Sequence, residues 1–452
     1  MELLFMFLLF SLSLMYLLPK IIKHKSRFNP PGPIGLPFIG NLHQINPSSL
    51  HTSLWQLSKS YGPIISLRFG FVPTIVVSSP SLAKEVMKTQ DIIFCSRPRL
   101  VGNQKFSYGG LDVAFSPYDE TWRDMRKIFV THLLSPKRIQ STRFQDENER
   151  KKVLGLLDEL QETIVDNYVS DIWPGLPFVN LVDRFIGKTD RLEKCFQEFD
   201  LFYQQLIDEH LNGRNIRSHE DEDDVVDILL RLMKDKLFGL THKHIKAMLM
   251  NVLAAGTDAS AATVVWSLTL LMKNPNVMKK AQEEVRNVIG KKCMIDEDDL
   301  PKLTYLKAVI NETMRLYPSA PLLVPRETMK DTILHGYKIK QKTIVYVNAF
   351  AIGRDPKYWD RPEDFYPERF LGSDIDFKGN DFELIPFGAG RRICPGMLMG
   401  VLMVELLLAN LLYLFDWGLQ HGMQKDDIDL DAMPGVAIHK KNELCLLAHE
   451  YI

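Results

Sequence analysis

The run Pro386-Phe387-Gly388-Ala389-Gly390-Arg391-Arg392-Ile393-Cys394-Pro395-Gly396 sets one cysteine among glycines and arginines, just before an apolar stretch from Met397 onward. Glycine lets backbone amides approach one point without Cβ interference, and Pro395 suits the first turn of a helix, where its missing N–H costs nothing. Cys394 therefore stands at a helix N-terminus, where the dipole and free N–H groups favour thiolate over thiol. One soft anionic ligand with no cysteine beside it suits a metal whose other positions are already filled, for instance by the four nitrogens of a haem. Arg392 would then pair with a propionate. An inert buried cysteine in a Gly-rich turn is the plain alternative at this stage. A phosphate loop is excluded more firmly, because Arg391 and Arg392 stand where such a loop needs Lys and then Ser or Thr.

A second chemical feature lies in Ala254-Ala255-Gly256-Thr257-Asp258-Ala259-Ser260, the middle of a helical pattern from Thr241 to Lys273 that Asn274-Pro275 ends. Small residues there allow a flat ligand to approach closely. Asp258 has a reason to sit in an apolar helix only if it is solvated or functional, and a wet edge of a packed helix is the competing reading.

Composition narrows the field around these features. The 452 residues are 46% hydrophobic and 25% charged, as in a folded globular protein. Fifty-five basic residues face 56 acidic ones, so the net charge of -1 gives no field to gather nucleic acid. Cys95, Cys195, Cys293, Cys394 and Cys445 are odd in number, far apart and without a C-x-x-C pair. Neither a disulfide framework nor a zinc or iron–sulfur cage is implied.

The elements that must position the chemistry are mostly helices, expected over Leu82 to Thr89, Asp224 to Lys234, Thr241 to Lys273, Asn276 to Ile289 and Met397 to Phe415. β-branched runs at 64–69 and 74–77 predict a hairpin followed by a helix with Ser79 as N-cap and Pro80 at its first position. Further strands are expected within Thr332 to Asn348, around Val436 to Ile438 and over Leu444 to Leu447. The acidic run His219 to Asp224 reads as a solvated loop, and His242 and His244, two apart, do not share a helical face as a metal pair would.

At the N-terminus, Leu3 to Leu18 are apolar except for Ser11, Ser13 and Tyr16, and Lys20, Lys23, Lys25 and Arg27 follow. That arrangement predicts one membrane pass with everything downstream in the cytoplasm. A cleaved signal peptide fits less well, since Met1-Glu2 carries no positive charge. The division is then a membrane anchor (1–22), a basic and Pro-rich hinge (23–40) and one catalytic domain (41–452), mainly α with a minor β-sheet region.

The string F-x-x-G-x-R-x-C-x-G, with every fixed place filled by Phe387, Gly390, Arg392, Cys394 and Gly396, resembles the haem-thiolate loop of cytochrome P-450 enzymes. Upstream, Glu312-Thr313-Met314-Arg315 resembles the family's E-x-x-R, and Pro367-Glu368-Arg369-Phe370 its P-E-R-F. Trp122 and Arg126 match W-x-x-x-R, and Arg326 follows Val324-Pro325 as a further propionate partner would. Anchor and hinge are most similar to those of plant microsomal members.

The resemblance implies a cytochrome P-450 fold, haem b held through Cys394, and Trp122, Arg126, Arg326 and Arg392 near its propionates. It implies a structural charge network of Glu312, Arg315 and Arg369 behind the haem. It further implies electrons from NADPH through NADPH-cytochrome P-450 reductase, cytochrome b5 as an additional donor, and a location in the endoplasmic reticulum membrane. A small lipophilic substrate would touch Leu100 to Leu111, Ala254 to Ala259, Leu322 to Val324 and Val436 to Ile438.

Two departures stand out. The family's oxygen-activation motif has a threonine after the acid, where this chain has Ala259. Ser260, Thr257 or a substrate hydroxyl would then have to organise the proton-delivering water beside Asp258. The chain is also short between Trp122 and Gly256, and a core helix is expected to be missing between about 147 and 180. An oxygen-independent haem-thiolate isomerase or dehydratase, or a catalytically inactive shortened product, are the alternatives to a monooxygenase.

Overall fold

The computed structural model describes residues 29–134, 147–213, 224–290, 292–433 and 435–451, so the expected anchor lies outside the described residues. The principal sheet has the order β1-β2-β6-β3. β1 (Ile64–Phe69) and β2 (Val72–Val77) form the expected hairpin, Ile64 opposite Val77, reversing at Gly70 with a φ of +60°. β6 (Ile344–Val347) runs parallel to β2, and β3 (Arg326–Glu327) pairs antiparallel with β6, which carries Arg326 into the interior. The Pro-rich stretch is extended, as its prolines require, but fastened to this sheet: Ser66 N–H donates to the Pro31 carbonyl at 2.7 Å, and Asn41 N–H to Arg68 at 2.7 Å.

The longer helices among the described residues are α1 (Leu50–Tyr61), α2 (Glu120–Ile128), α3 (Glu147–Ile164), α4 (Lys188–Gly213), α5 (Val225–Lys234), α6 (His242–Lys273), α7 (Pro275–Ile289), α8 (Thr304–Leu316) and α9 (Met397–Leu414). α6 opens with a capping box in which the Thr241 hydroxyl meets His244 Nδ1 at 2.8 Å, so His244 serves the helix start. It is buried over Ile245–Met250 and again over Ala262–Met272, but open between, through residues 251–261. The open stretch is the small-residue segment around Asp258. The C-terminal strands are short: β8 (Ala432–Met433) pairs β9 (His439–Lys440), and β7 (Phe415–Leu419) pairs β10 (Leu446–Glu450). Val436 to Ile438, expected as strand, are bends instead, because Gln161 and Ser319 take their N–H groups.

The sequence predicts that a core helix is missing between about 147 and 180. α3 occupies much of that range. Val153, Leu156, Leu157 and Leu160 recur at spacings of three, one and three, and all are buried against α4, whose Cys195, Phe199, Tyr203 and Ile207 repeat every fourth residue. Charges on the outer face disguised the pattern in sequence, among them Glu159 and Glu162, which pair with Arg191 across the two helices. What is short of cover is α9. Its apolar residues ring the whole helix, and Leu398 and Leu407 remain 65% and 45% exposed. A helix apolar on all sides belongs in a core, so one flank of α9 has lost a neighbour.

Behind the sheet and α9, Glu312 and Arg315 are completely buried and joined by two bonds of 2.7 and 2.8 Å. Arg369 reaches the same carboxylate at 3.1 Å, and Tyr366 N–H donates to it at 2.8 Å. The Arg315 guanidinium also donates to the carbonyls of Gly353 (2.5 Å), Pro362 (2.7 Å) and Asp364 (3.1 Å). The network therefore ties α8 to the long irregular segment that leads to the Cys394 loop. Removing its only acid strands two guanidiniums in the interior. Glu312→Ala should lower stability by about 3–5 kcal/mol in urea unfolding, whereas an exposed glutamate such as Glu120 should change it by less than about 0.5 kcal/mol.

Candidate haem-thiolate site

Residues Gly390–Arg392 make one tight helical turn, and the Cys394 N–H donates back to the Phe387 carbonyl at 3.0 Å, so the sulfur is held at the mouth of α9. Gly390 has a φ of +70°, and a Cβ there would lie 1.9 Å from the Met87 carbonyl, so only glycine fits. Arg391 is anchored to Asp91 through its N–H (2.9 Å) and its guanidinium (3.0 Å). Leu323 stands over the loop, 3.6 Å from where a Gly388 Cβ would be. Phe387 packs edge-on against Phe377.

The helix start pulls the sulfur toward thiolate, as expected, and burial opposes it. Burial pushes the Cys394 thiol up, against the opposing pull of the Gly396 N–H and the Arg126 charge. A metal ion bound to the sulfur reverses that balance outright, since a coordinating thiol is deprotonated.

Beside the loop lies an excess of buried positive charge. Arg392 donates to the carbonyls of Cys95 (2.7 Å), Val113 (3.3 Å) and Ser116 (2.7 Å), with its guanidinium 4.0 Å above the Trp122 ring. Trp122 Nε1 donates to the same Val113 carbonyl at 3.0 Å. Arg97, fully buried, donates only to the carbonyls of Ala114, Val324 and Pro325. Arg126 is half-buried, faces Cys394 and the Trp122 ring, and makes no hydrogen bond or ion pair among the described residues. Arg326 pairs with Asp91 at 3.0 Å and donates to the Ala389 carbonyl. The acids against these four guanidiniums are Asp91 and Asp112, and burial raises the pKa of Asp112, weakening even that charge. Desolvation correspondingly lowers the pKa of Arg97, Arg126, Arg326 and Arg392. A cluster short of negative charge, next to a sulfur that needs a metal, fits a planar group carrying iron and two propionates.

Single contacts link the expected substrate segments to α6 or to the Cys394 loop. Asn251 on α6 accepts from Val113 N–H at 2.9 Å and donates to Asp112 at 3.0 Å, joining the loop after Leu111 to the distal helix. Leu323 overlies the Cys394 loop, and Trp266 of α6 donates to the Ile438 carbonyl at 3.0 Å.

On α6, Asp258 is met at one oxygen by Gln161 Nε2 of α3 (2.5 Å) and at the other by His439 Nε2 (2.7 Å). Ser260 points elsewhere: its hydroxyl lies 3.8 Å from where a Gly400 Cβ would be, against α9. Thr257 is exposed and makes no side-chain hydrogen bond among the described residues. Neither hydroxyl joins Asp258. The Ala259 carbonyl accepts from Thr263 (2.8 Å) and Ser319 (3.2 Å), whose own hydroxyls are 2.9 Å apart. Sequence reasoning missed Arg97, Gln161 and His439. The Arg97-Pro98-Arg99 triplet was a visible hint for the first, but the other two come from segments remote in sequence that only folding brings to α6.

A mainly helical body with a small sheet, one cysteine at the start of an apolar helix and a long distal helix over it define a haem-thiolate protein. The Cytochrome P450 family model matches residues 30–163 and 139–446, and the chain belongs to that family. It is thus an oxidoreductase of the monooxygenase class, and the family implies a haem cofactor. A "6,7,8-trihydroxycoumarin synthase" of Pastinaca sativa is 44% identical over 508 aligned positions, covering 99% of both chains. A "5-OH-xanthotoxin synthase" of the same plant is 44% identical with 99% and 98% coverage, and "Cytochrome P450 71B37" of Arabidopsis thaliana is 44% identical with 94% and 93%. A zebra fish cytochrome P450 solved with progesterone superposes with a TM-score of 0.68 at 25% identity, covering 88% of this chain and 98% of its own.

Alignments longer than the chain mean that several tens of positions of these relatives have no counterpart here. The two stretches of the family match overlap over residues 139–163, which is where a shortened chain makes the match begin again. The shortening therefore falls ahead of or within α3, and agrees with the uncovered flank of α9.

Because Arg126 makes no hydrogen bond or ion pair among the described residues, its loss should separate folding from cofactor retention. Arg126→Gln should leave the unfolding midpoint of haem-free protein within error. Haem transfer to apomyoglobin should become about tenfold faster, the equivalent of one charge-assisted hydrogen bond.

Proposed function

We propose that this chain is a membrane-anchored plant monooxygenase that hydroxylates a flat, oxygenated aromatic metabolite of the coumarin type. The observation that carries the chemistry is the Cys394 loop with its uncompensated arginines. The substrate class is supported by the names of the two Pastinaca relatives, and identity of this order transfers a kind of chemistry more safely than a particular molecule. Haem, when bound, supplies oxygen activation, with a thiolate ligand that favours O–O cleavage.

Everything else is done by the chain itself. Cys394 supplies the sulfur, and Arg97, Arg126 and Arg392, with Trp122, orient and neutralise the propionate edge. Ala254, Ala255 and Ala259 leave room for a planar substrate along α6. Leu323 and the bends at Val436 to Ile438 close its sides and exclude water. Asp258 is the acid on the open stretch of α6, where protons have to be delivered.

Electrons would come from NADPH through a flavoprotein reductase, with cytochrome b5 as a second donor. Arg123, Lys127 and Arg391 are exposed near the Cys394 face and suit an acidic partner surface. Lipid contact is supported by exposed apolar side chains in two adjoining segments, Ile34 and Phe38 in one and Phe178, Leu181 and Phe185 in the other. Trp173 Nε1 donates to the Phe38 carbonyl at 3.0 Å and holds the two together. Ile34 and Phe38 follow the expected N-terminal anchor in sequence, and that anchor with its basic flank supports an endoplasmic reticulum location with a single pass.

The deciding measurement is the carbon monoxide difference spectrum of reduced protein. A thiolate-type Soret band is expected, and Cys394→Ala should abolish it. Absence of haem in the unsubstituted chain would favour an inactive product whose α9 flank no longer seals the cofactor. A band without NADPH-dependent oxygen uptake would favour the isomerase or dehydratase. Phe178 and Phe185 are 73% and 93% exposed, so Phe178→Asp with Phe185→Asp should leave melting unchanged. Partitioning of the chain onto neutral phospholipid vesicles should fall at least about tenfold, as the apolar transfer energy of two rings requires.

A further inference from the structure

Asp258 is the one carboxylate on the open stretch of α6, and position 259 offers it no hydroxyl. Its neighbours come from two other parts of the chain. His439, at the start of β9, places Nε2 2.7 Å from one carboxylate oxygen, an ion-pair contact whose N–H direction misses the oxygen. Gln161 of α3 donates to the other oxygen at 2.5 Å, and its carbonyl accepts from Val436 N–H (2.8 Å) and Ala437 N–H (3.4 Å). One residue before His439, Ile438 donates to Ser319 at 2.8 Å and accepts from Trp266 at 3.0 Å. The hairpin is thus pinned to both α3 and α6, and the imidazole is held against Asp258 from both sides.

Exposure orders the pair. The His439 side chain is 28% exposed and that of Asp258 13%, so solvent reaches the imidazole first and the carboxylate faces the cleft. The charges around the imidazole are acidic. Asp258 stands on α6, and Asp158 faces it from α3 with Glu162 behind, while Lys440 on its own strand turns to Asp429 at 2.7 Å.

We propose, building on the monooxygenase reading above, that His439 is the positioning residue that holds Asp258 and exchanges a proton with it, replacing the hydroxyl missing at position 259. The His439 imidazolium gives its Nε2 proton to Asp258, leaving a neutral imidazole and a carboxylic acid. Asp258 releases that proton into the cleft and returns to carboxylate, and a flip of the imidazole ring turns its bare nitrogen to solvent, where water reprotonates it. No oxidant or reductant enters these steps.

The pair raises the His439 pKa above the ordinary value of 6.5, chiefly through Asp258. A raised folded-state pKa means the contact stabilises fully below pH 6.5 and is lost as pH rises through the raised value. The loss of thermal midpoint caused by His439→Ala in haem-free full-length protein should therefore be larger at pH 6 than at pH 8.5.

The decisive experiment is a histidine-labelled NMR titration of the full chain, with His439→Gln assigning the resonance. Asp258→Asn should return the His439 midpoint toward 6.5; an unmoved midpoint overturns the pair. In protein that shows the thiolate band, His439→Ala should raise peroxide released per NADPH consumed by at least about threefold. In an Ala259→Thr background the same substitution should change it little, because a hydroxyl is restored. Equal effects in both backgrounds overturn the relay. If no thiolate band forms, the monooxygenase reading fails, and the titration still decides whether Asp258 and His439 are paired.

Discussion

Positive charge that the fold cannot neutralise from its own acids is the constraint on which the site depends. Arg97, Arg126, Arg326 and Arg392 lie buried or half-buried beside Cys394, with only Asp91 and Asp112 opposite. Hydrogen bonds to carbonyls make this arrangement tolerable, because a guanidinium with its donors satisfied loses less than a bare charge. They do not remove the field, however. A thiol that burial pushes up stands at its edge, so the surroundings disfavour both a sulfur anion and the cations beside it. One ligand with an iron centre and two carboxylates corrects both at once, and the cluster therefore marks a binding site more strongly than any pocket shape would.

Such a cluster has to be held rigidly, and the sheet and α8 do this by different means. β3 fixes Arg326 through antiparallel pairing to β6, a backbone device that leaves the side chain free to reach Asp91 and the Ala389 carbonyl. Glu312, Arg315 and Arg369 work through side chains, tying α8 to residues 353–366 so that the segment running into Phe387 cannot shift. A buried ion triad is seldom a gain in stability over apolar packing. Its merit here is direction, since bidentate bonds set an orientation that leucines in the same volume would not.

Local chemistry was legible in the sequence, and long-range chemistry was not. The Cys394 loop, the β1–β2 hairpin, the limits of α6 and the Glu312 network follow from residues close together or from motifs whose spacing is short. Arg97 was hidden because it acts through carbonyls on distant loops, and no side-chain pattern advertises that. α3 was missed because Glu159, Glu162 and the charged residues before them dominate its composition, while the buried face is only four residues of period three and four. The thiol at Cys394 shows a related limit: the pull of the α9 start can be read from sequence, but the burial that opposes it cannot.

The shortening and the distal acid meet on α6, and together they say what kind of enzyme remains. α9, apolar all round, is left partly bare, and Ser260 is turned toward it and away from Asp258. The distal helix packs on α9 over Val264 to Met272, and around Asp258 it is held by α3 through Gln161 and by the C-terminal hairpin through Trp266 and His439. Gln161 and His439 meet on the two oxygens of one carboxylate, so α3, the hairpin and the distal helix are coupled at Asp258. Ligands that fill the space between α3 and the hairpin would then stabilise the fold as well as occupy the site, by the ordinary linkage between binding and folding.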